Sequence, residues 1–293
     1  MSLLAHSGTY KFGEKTIYRM GYGAMQLAGP GVFGPPKDID MARSVLKAVI
    51  EAGVNHIDTS DFYGPHVTNQ LICETLYPYP EDLVLVTKIS AKRGADGSWL
   101  PAFSREELTS AIHDNLRNLK LDVIEVVNLR SMHGLLTPAE GSLEEPLAVM
   151  AELQAKGLIK HIGISNVTPK QLKQARSMVE IVCVQNAYNI TYREDDLMID
   201  QLAKDGIPYV PYFPLGGFNT IQAEIIGTIA KRHHKTVQQI LLAWLLKRSE
   251  NILLIPGTSQ LDHLHDNLAA ASIILTAQDL AELDQVPKQT IGH

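Results

Sequence analysis

Short runs rich in Val and Ile alternate along the chain with longer segments whose apolar positions return every three or four residues. The short runs predict strands at 55–59, 83–87, 123–129, 159–165, 181–185, 207–212 and 252–255, with a first strand near 19–23. The longer segments predict helices at 38–52, 67–76, 105–118, 143–156, 169–177, 195–205 and 237–248. Runs this short and this branched suit parallel strands covered on both faces. Strand followed by helix, repeated around eight strands, predicts an α/β fold, a (β/α)₈ TIM barrel occupying residues 1–293 as one domain.

The turn residues agree. Gly53, Gly157 and Gly206 each follow a helical segment and precede a strand, as helix-stopping glycines do. Ser104 with Glu107 fits a capping box, and Thr168-Pro169 puts proline in a first helical turn. Residues 10–18, around Gly13-Glu14, read as an N-terminal β-hairpin that plugs the barrel from below. Residues 276–286 read as an extra C-terminal helix.

Composition narrows the class. The chain has 293 residues, 45% of them hydrophobic, and a net charge of -6 without blocks of like charge. Nucleic acid and anionic membranes are therefore poor partners. No apolar run approaches the ~20 residues that span a bilayer, and residues 1–10 lack a secretory pattern. With only Cys73 and Cys183, both in apolar segments, the expectation is a cytoplasmic protein with free thiols. Oligomeric state is not legible.

Candidate chemistry lies at the strand ends, where barrels of this kind place their active sites. An apolar run ends at Asp58, Tyr63-Gly64 follows, and the next strand delivers Lys88. A carboxylate, a phenol and an ammonium converging at one mouth make a proton donor, with the cation expected to depress a phenol that otherwise titrates near ~10. Taken singly, Tyr63 could be an ordinary mouth tyrosine and Lys88 a surface lysine. His56 and Asp58 share a strand face and could open a metal site, but further ligands are lacking at the other strand ends, so His56 reads as a core histidine and no metal is expected. The loops at 28–36, 91–103 and 131–141 are long; Phe33, Trp99 and Phe103 either wall a substrate pocket or pack their own loops.

Several segments occur together in a telling order: Gly21-Tyr22-Gly23-Ala24-Met25, Asp58 to Gly64, Lys88, Gly163-Ile164-Ser165-Asn166, Val184-Gln185-Asn186, Tyr212-Phe213-Pro214-Leu215-Gly216, and Ile255-Pro256-Gly257-Thr258-Ser259 leading to Asn267. By these the chain resembles the aldo-keto reductases over essentially its whole length. The resemblance implies a reductase using NADPH without a Rossmann domain, and no G-x-G-x-x-G follows the first strand. It implies that Tyr63 protonates a carbonyl oxygen, Lys88 tunes Tyr63 and Asp58 holds Lys88. It places Ser165, Asn166 and Gln185 on the nicotinamide carboxamide and Tyr212 on the nicotinamide face. Gly23, Met25, Asp58, Phe213 and Leu215 join the cofactor site by the same correspondence, and Gly257, Thr258, Ser259, His263 and Asn267 grip the adenosine end. Many members carry a Lys and an Arg for the 2′-phosphate where this chain has Gly257 and His263, so hydroxyl and amide donors at Thr258, Ser259 and Gln260 would have to serve, helped by a helix N-terminus.

One position departs from the family. The fourth strand usually ends in a histidine that orients the substrate oxygen; here Arg130 stands there and His133 follows in the loop. Arginine can polarise a carbonyl or hold an oxyanion but cannot shuttle a proton. The segments 23–31, 56–65 and 126–130 resemble the bacterial pyridoxal reductases, NADPH-dependent members whose substrate carries a phenolic oxygen beside its aldehyde. That implies reduction of a small-molecule aldehyde, with Arg130 on the oxygen pair. The alternatives are another aldehyde or ketone bearing an anionic group, or a slow cofactor-binding regulatory subunit.

Overall fold

The Val- and Ile-rich runs form the staves of a closed parallel barrel in the computed structural model, which describes residues 3–217, 221 and 224–289. A hairpin comes first, β1 (Thr9–Phe12) and β2 (Lys15–Tyr18). The chain then runs through β3 (Tyr22–Gly23), α1 (Ile39–Glu51), β4 (His56–Asp58), α2 (Val67–Leu76) and β5 (Val84–Ile89). A second hairpin, β6 (Ala91–Arg93) and β7 (Trp99–Pro101), precedes α3 (Arg105–Leu119). There follow β8 (Ile124–Arg130), α4 (Glu144–Ala155), β9 (Ile159–Ser165), α5 (Pro169–Met178), β10 (Ile181–Gln185) and α6 (Asp196–Lys204). The chain ends with α7 (Glu224–His233), α8 (Val237–Arg248), α9 (Leu261–Ala269) and α10 (Ala277–Leu283).

Six strands pair in parallel in the order β10-β9-β8-β5-β4-β3. The ring closes through single bridges, Val184 to Tyr209, Tyr209 to Ile252 and Leu254 to Met20. The predicted (β/α)₈ barrel is therefore present, with a difference: 207–212 and 252–255 contribute bridges in place of continuous ladders. The long segment 91–103 is partly the β6–β7 hairpin, α7 lies where no helix was predicted, and α9 was expected only through its N-terminus after Gln260, without bounds.

Local signals explain the helix ends. Capping boxes start α3 at Ser104, α5 at Thr168, α8 at Thr236 and α10 at Thr276. Gly53, Gly157 and Gly206 take the left-handed backbone that ends α1, α4 and α6.

The interior has two layers. Helices pack on the outer faces of the strands, while Val84, Val86, Val126, Cys183, Val210 and Leu253 fill the axis. Phe12 and Ile17 of the hairpin enter that axial cluster fully buried, so the N-terminal hairpin plugs the bottom as predicted. Each such burial is worth about 1.5–3 kcal/mol. Cys183 is buried, Cys73 half-buried, and both are free. Among the described residues no helix is long and apolar enough to cross a membrane.

Candidate active site

The strands end at the mouth with polar side chains in place of Val and Ile. Asp58 closes β4, Lys88 nearly closes β5, and Gln185 closes β10. The Lys88 ammonium donates to Asp58 Oδ1 and, at 3.1 Å, to the Thr59 carbonyl. Asp58 Oδ2 accepts from Gln185 Nε2 at 2.8 Å. Both members of this ion pair are only 4% exposed at the side chain. Burial alone pulls the Lys88 ammonium down, but Asp58 and Tyr63 more than reverse it, and its pKa is raised.

Tyr63 sits on a turn between β4 and α2, with Lys88 Nζ 5.4 Å from its ring centroid. A buried polar network holds that turn. Asp61 Oδ1 accepts from Asn69 at 3.2 Å and Asn118 at 2.8 Å, and Asp61 Oδ2 lies 2.6 Å from His66 Nδ1. Asn69 also donates to Asn115 at 2.9 Å and accepts from Thr59 Oγ1 at 2.8 Å. Sequence reasoning missed this network, because scattered asparagines give no periodic signal.

The expected depression of the Tyr63 phenol is corrected by the structure. Burial raises it above 10.0, and the opposing pull of Lys88, aided by Arg130, does not overcome that rise. The phenol therefore keeps its proton at neutral pH.

These groups face one cavity of about 530 Å³. Tyr63, Lys88, Asp58 and Arg130 line it, together with Gly23, Met25, Gln185, Tyr212, Phe213, Leu215 and Gly257. Arg130 Nη2 donates to the Leu135 carbonyl at 2.7 Å, Nη1 lies 3.4 Å from Ser165 Oγ, and the guanidinium stands 5.2 Å from the Tyr212 ring centroid. Phe62 and Trp99, in edge contact at 5.4 Å, build another wall. Of the three loop aromatics, Trp99 thus lines the cavity, whereas Phe103 packs on His133 at 5.3 Å. His133 Nε2 lies 3.1 Å from the Ser142 carbonyl, outside the cavity lining.

The remaining expected cofactor residues are not in the lining. The Asn166 amide donates to the carbonyls of Ser131 at 2.9 Å and Gly134 at 2.6 Å, and its oxygen lies 2.8 Å from the Tyr212 hydroxyl. The side chain thereby joins three segments at the mouth. Ser165 lies beneath Arg130. Thr258 Oγ1 accepts from the Gln260 backbone at 3.1 Å, ahead of α9. Ser259 is half-buried, His263 exposed and Asn267 buried on or beside that helix. His56 is a core histidine, buried beside Phe12, with no hydrogen-bond partner for either ring nitrogen among the described residues.

Residues 19–288 match the family described as Aldo/keto reductase family. The chain belongs to the aldo/keto reductase family. It is 60% identical over 287 residues to the pyridoxine 4-dehydrogenase of Escherichia coli K12, covering 97% of this chain and 99% of that protein. Among solved structures it resembles a thermostable aldo-keto reductase in complex with the inhibitor epalrestat, at TM-score 0.80 and 30% identity, over 95% of this chain and 99% of the other. An aldo-keto reductase from Klebsiella pneumoniae in complex with NADPH shares the fold, at TM-score 0.76 and 22% identity, over 97% and 96%. The lining also holds residues given no site role from the sequence, among them Gln26, Val32, Leu135 and Leu136, and Phe62 and Pro214, which stand inside the quoted motifs. The signal of Gln26, Val32, Leu135 and Leu136 was position in a loop after a strand.

Proposed function

We propose that this aldo/keto reductase reduces a small aldehyde to a primary alcohol with NADPH, and that pyridoxal, giving pyridoxine, is its substrate. The observation that carries the reading is the meeting of a protonated Tyr63, the Lys88–Asp58 pair and Arg130 on one cavity. The 60% identity to a pyridoxine 4-dehydrogenase supports the substrate.

The cavity lining suits the nicotinamide end of a dinucleotide. The Tyr212 ring offers a flat face, and Gly23 and Gly257 present bare backbone beside Ile255 and Pro256. The loop beyond them leads to the N-terminus of α9, which favours an anion. When bound, NADPH supplies the hydride that reduces the carbonyl carbon. Tyr63 gives its hydroxyl proton to the carbonyl oxygen, completing the alcohol. Lys88 then steadies the phenolate left behind, and Asp58 keeps Lys88 charged and in place. In this reading Arg130, which donates to the Leu135 carbonyl and lies beside Ser165, holds the aldehyde oxygen and the phenolic oxygen beside it.

Steady-state assays with NADPH and pyridoxal test this. Tyr63→Phe is expected to lower kcat by about 10²–10⁴-fold while NADPH binding is kept. Undiminished turnover in that variant would refute the acid assignment. Arg130→Gln is expected to raise KM for pyridoxal about tenfold more than for benzaldehyde, which lacks the second oxygen, in line with the strength of charge-assisted contacts. Equal changes on both aldehydes would remove Arg130 from substrate recognition. Comparing kcat/KM for NADPH and NADH fixes the cofactor preference.

A further inference from the structure

We propose that Arg93 is a positioning residue, a latch that ties two mouth segments together and thereby sets the wall against which the aldehyde rests. The proposal deepens the aldehyde-reductase reading given above and rests on it.

Arg93 ends β6 and reaches across the mouth. Its guanidinium donates to the carbonyls of Gly31, at 2.9 Å, and Val32 in the segment after β3. From the same group, Nη2 and Nε donate to the Gly97 carbonyl at 2.6 and 3.2 Å, closing its own hairpin turn. Its faces are occupied too: the Trp99 ring centroid lies 4.1 Å from Cζ and the Phe33 centroid 5.2 Å. Among the described residues it forms no ion pair. A cation that serves backbone carbonyls and two aromatic faces, with no carboxylate, is acting as a clasp.

The clasped segment needs holding. Val32 has φ 58°, a left-handed backbone that a β-branched residue adopts only under strain. Its carbonyl accepts from Arg93 and also from the Gly64 backbone at 3.1 Å, one residue beyond Tyr63. A second route leads to the same place. Trp99 meets Phe62 edge-on at 5.4 Å, and Phe62 meets Tyr63 edge-on at 5.4 Å. Arg93 is thus joined to the proton donor through backbone on one side and an aromatic row on the other. Val32, Trp99 and Phe62 all line the cavity, while Arg93 does not. Tyr212, Leu215 and Gly257, also in the lining, come from other strand ends. Loss of the latch should therefore disturb the aldehyde and spare the cofactor.

Arg93→Ala and Arg93→Lys test the proposal. Arg93→Ala is expected to raise KM for pyridoxal by about tenfold, leave kcat within about threefold and leave the NADPH Kd within about twofold, as loss of substrate positioning by a distant group implies. Acrylamide quenching of Trp99, isolated by subtracting the Trp99→Phe chain, is expected to rise. Arg93→Lys should stay close to the alanine variant, because an ammonium cannot span both segments and stack on both rings. Unchanged KM with unchanged Trp99 quenching would overturn the latch. So would a parallel loss of kcat, aldehyde affinity and NADPH affinity with a lowered Tm, which marks a merely structural role. If the wild-type chain reduces another aldehyde but not pyridoxal, the substrate reading fails, and the latch is judged by quenching and by KM for that aldehyde.

Discussion

His56 and Asp58 stand two residues apart on β4, face the same axis and are almost equally hidden from water, at 1% and 3% exposure. Asp58 meets an ammonium from β5 and an amide from β10. His56 meets the edge of Phe12, and burial pushes its imidazole down to about 4, so it stays neutral. One strand therefore carries a paired charge at its open end and an uncharged heterocycle at its plugged end. Depth does not decide ionisation in this barrel; the partners that neighbouring strands bring do.

Breaking the charged end should cost most. Asp58→Asn removes the counter-charge of a buried ammonium, and denaturant unfolding is expected to show a loss of about 3–5 kcal/mol. A loss below about 1 kcal/mol would mean that Lys88 finds water or another partner when Asp58 is gone.

The plugged end should respond to acid instead. Between the ordinary histidine value of 6.5 and the folded value of about 4, the unfolded chain takes a proton that folded His56 refuses. Stability from this group is complete above pH 6.5 and is lost as pH falls toward 4, by about 3 kcal/mol in all. His56→Leu should flatten that acid limb while changing stability at pH 8 by less than about 1.5 kcal/mol, as a swap of similar volume does. An identical acid limb in the variant would place the titration elsewhere.

The smallest effect is an expected flatness. Tyr63 is raised above 10.0, so it remains protonated and competent as a donor throughout the neutral and mildly alkaline range. The kcat for reduction should show no loss from phenol ionisation until the pH exceeds 10.0. A falling limb well below that value would mean that Lys88 and Arg130 outweigh burial in the working enzyme.

Much of this contrast could be read from the chain. The alternation in His56-Ile57-Asp58 put both polar groups on the axis, and the Val-rich runs located β5, β8, β9 and β10. One helix escaped entirely, and the extent of another did too. α7 carries Gly227 and ends in Lys-Arg-His, which weakens its pattern, and α9 is mostly polar, with Leu261, Leu264 and Leu268 as its apolar stripe. The β6–β7 hairpin had a local signal in Asp96-Gly97 at its turn, obscured by the very short strands on either side. Pairing between segments was harder still. Nothing in the sequence says that Asn166 is taken up by Ser131 and Gly134, or that Arg93 spans from its hairpin to Val32.

The seam of the ring has a consequence for biosynthesis. Arg19 donates to the Ile252 carbonyl across 233 residues, and the Tyr22 hydroxyl to the Thr258 carbonyl across 236. The first stave pairs early with β4, but it can meet its partner across the seam only after 233 further residues have been made. Until then the nascent sheet has two bare margins open to stray pairing. Chains stalled before Thr258 are therefore expected to aggregate, and moving the termini so that the seam is made early should shorten that exposure.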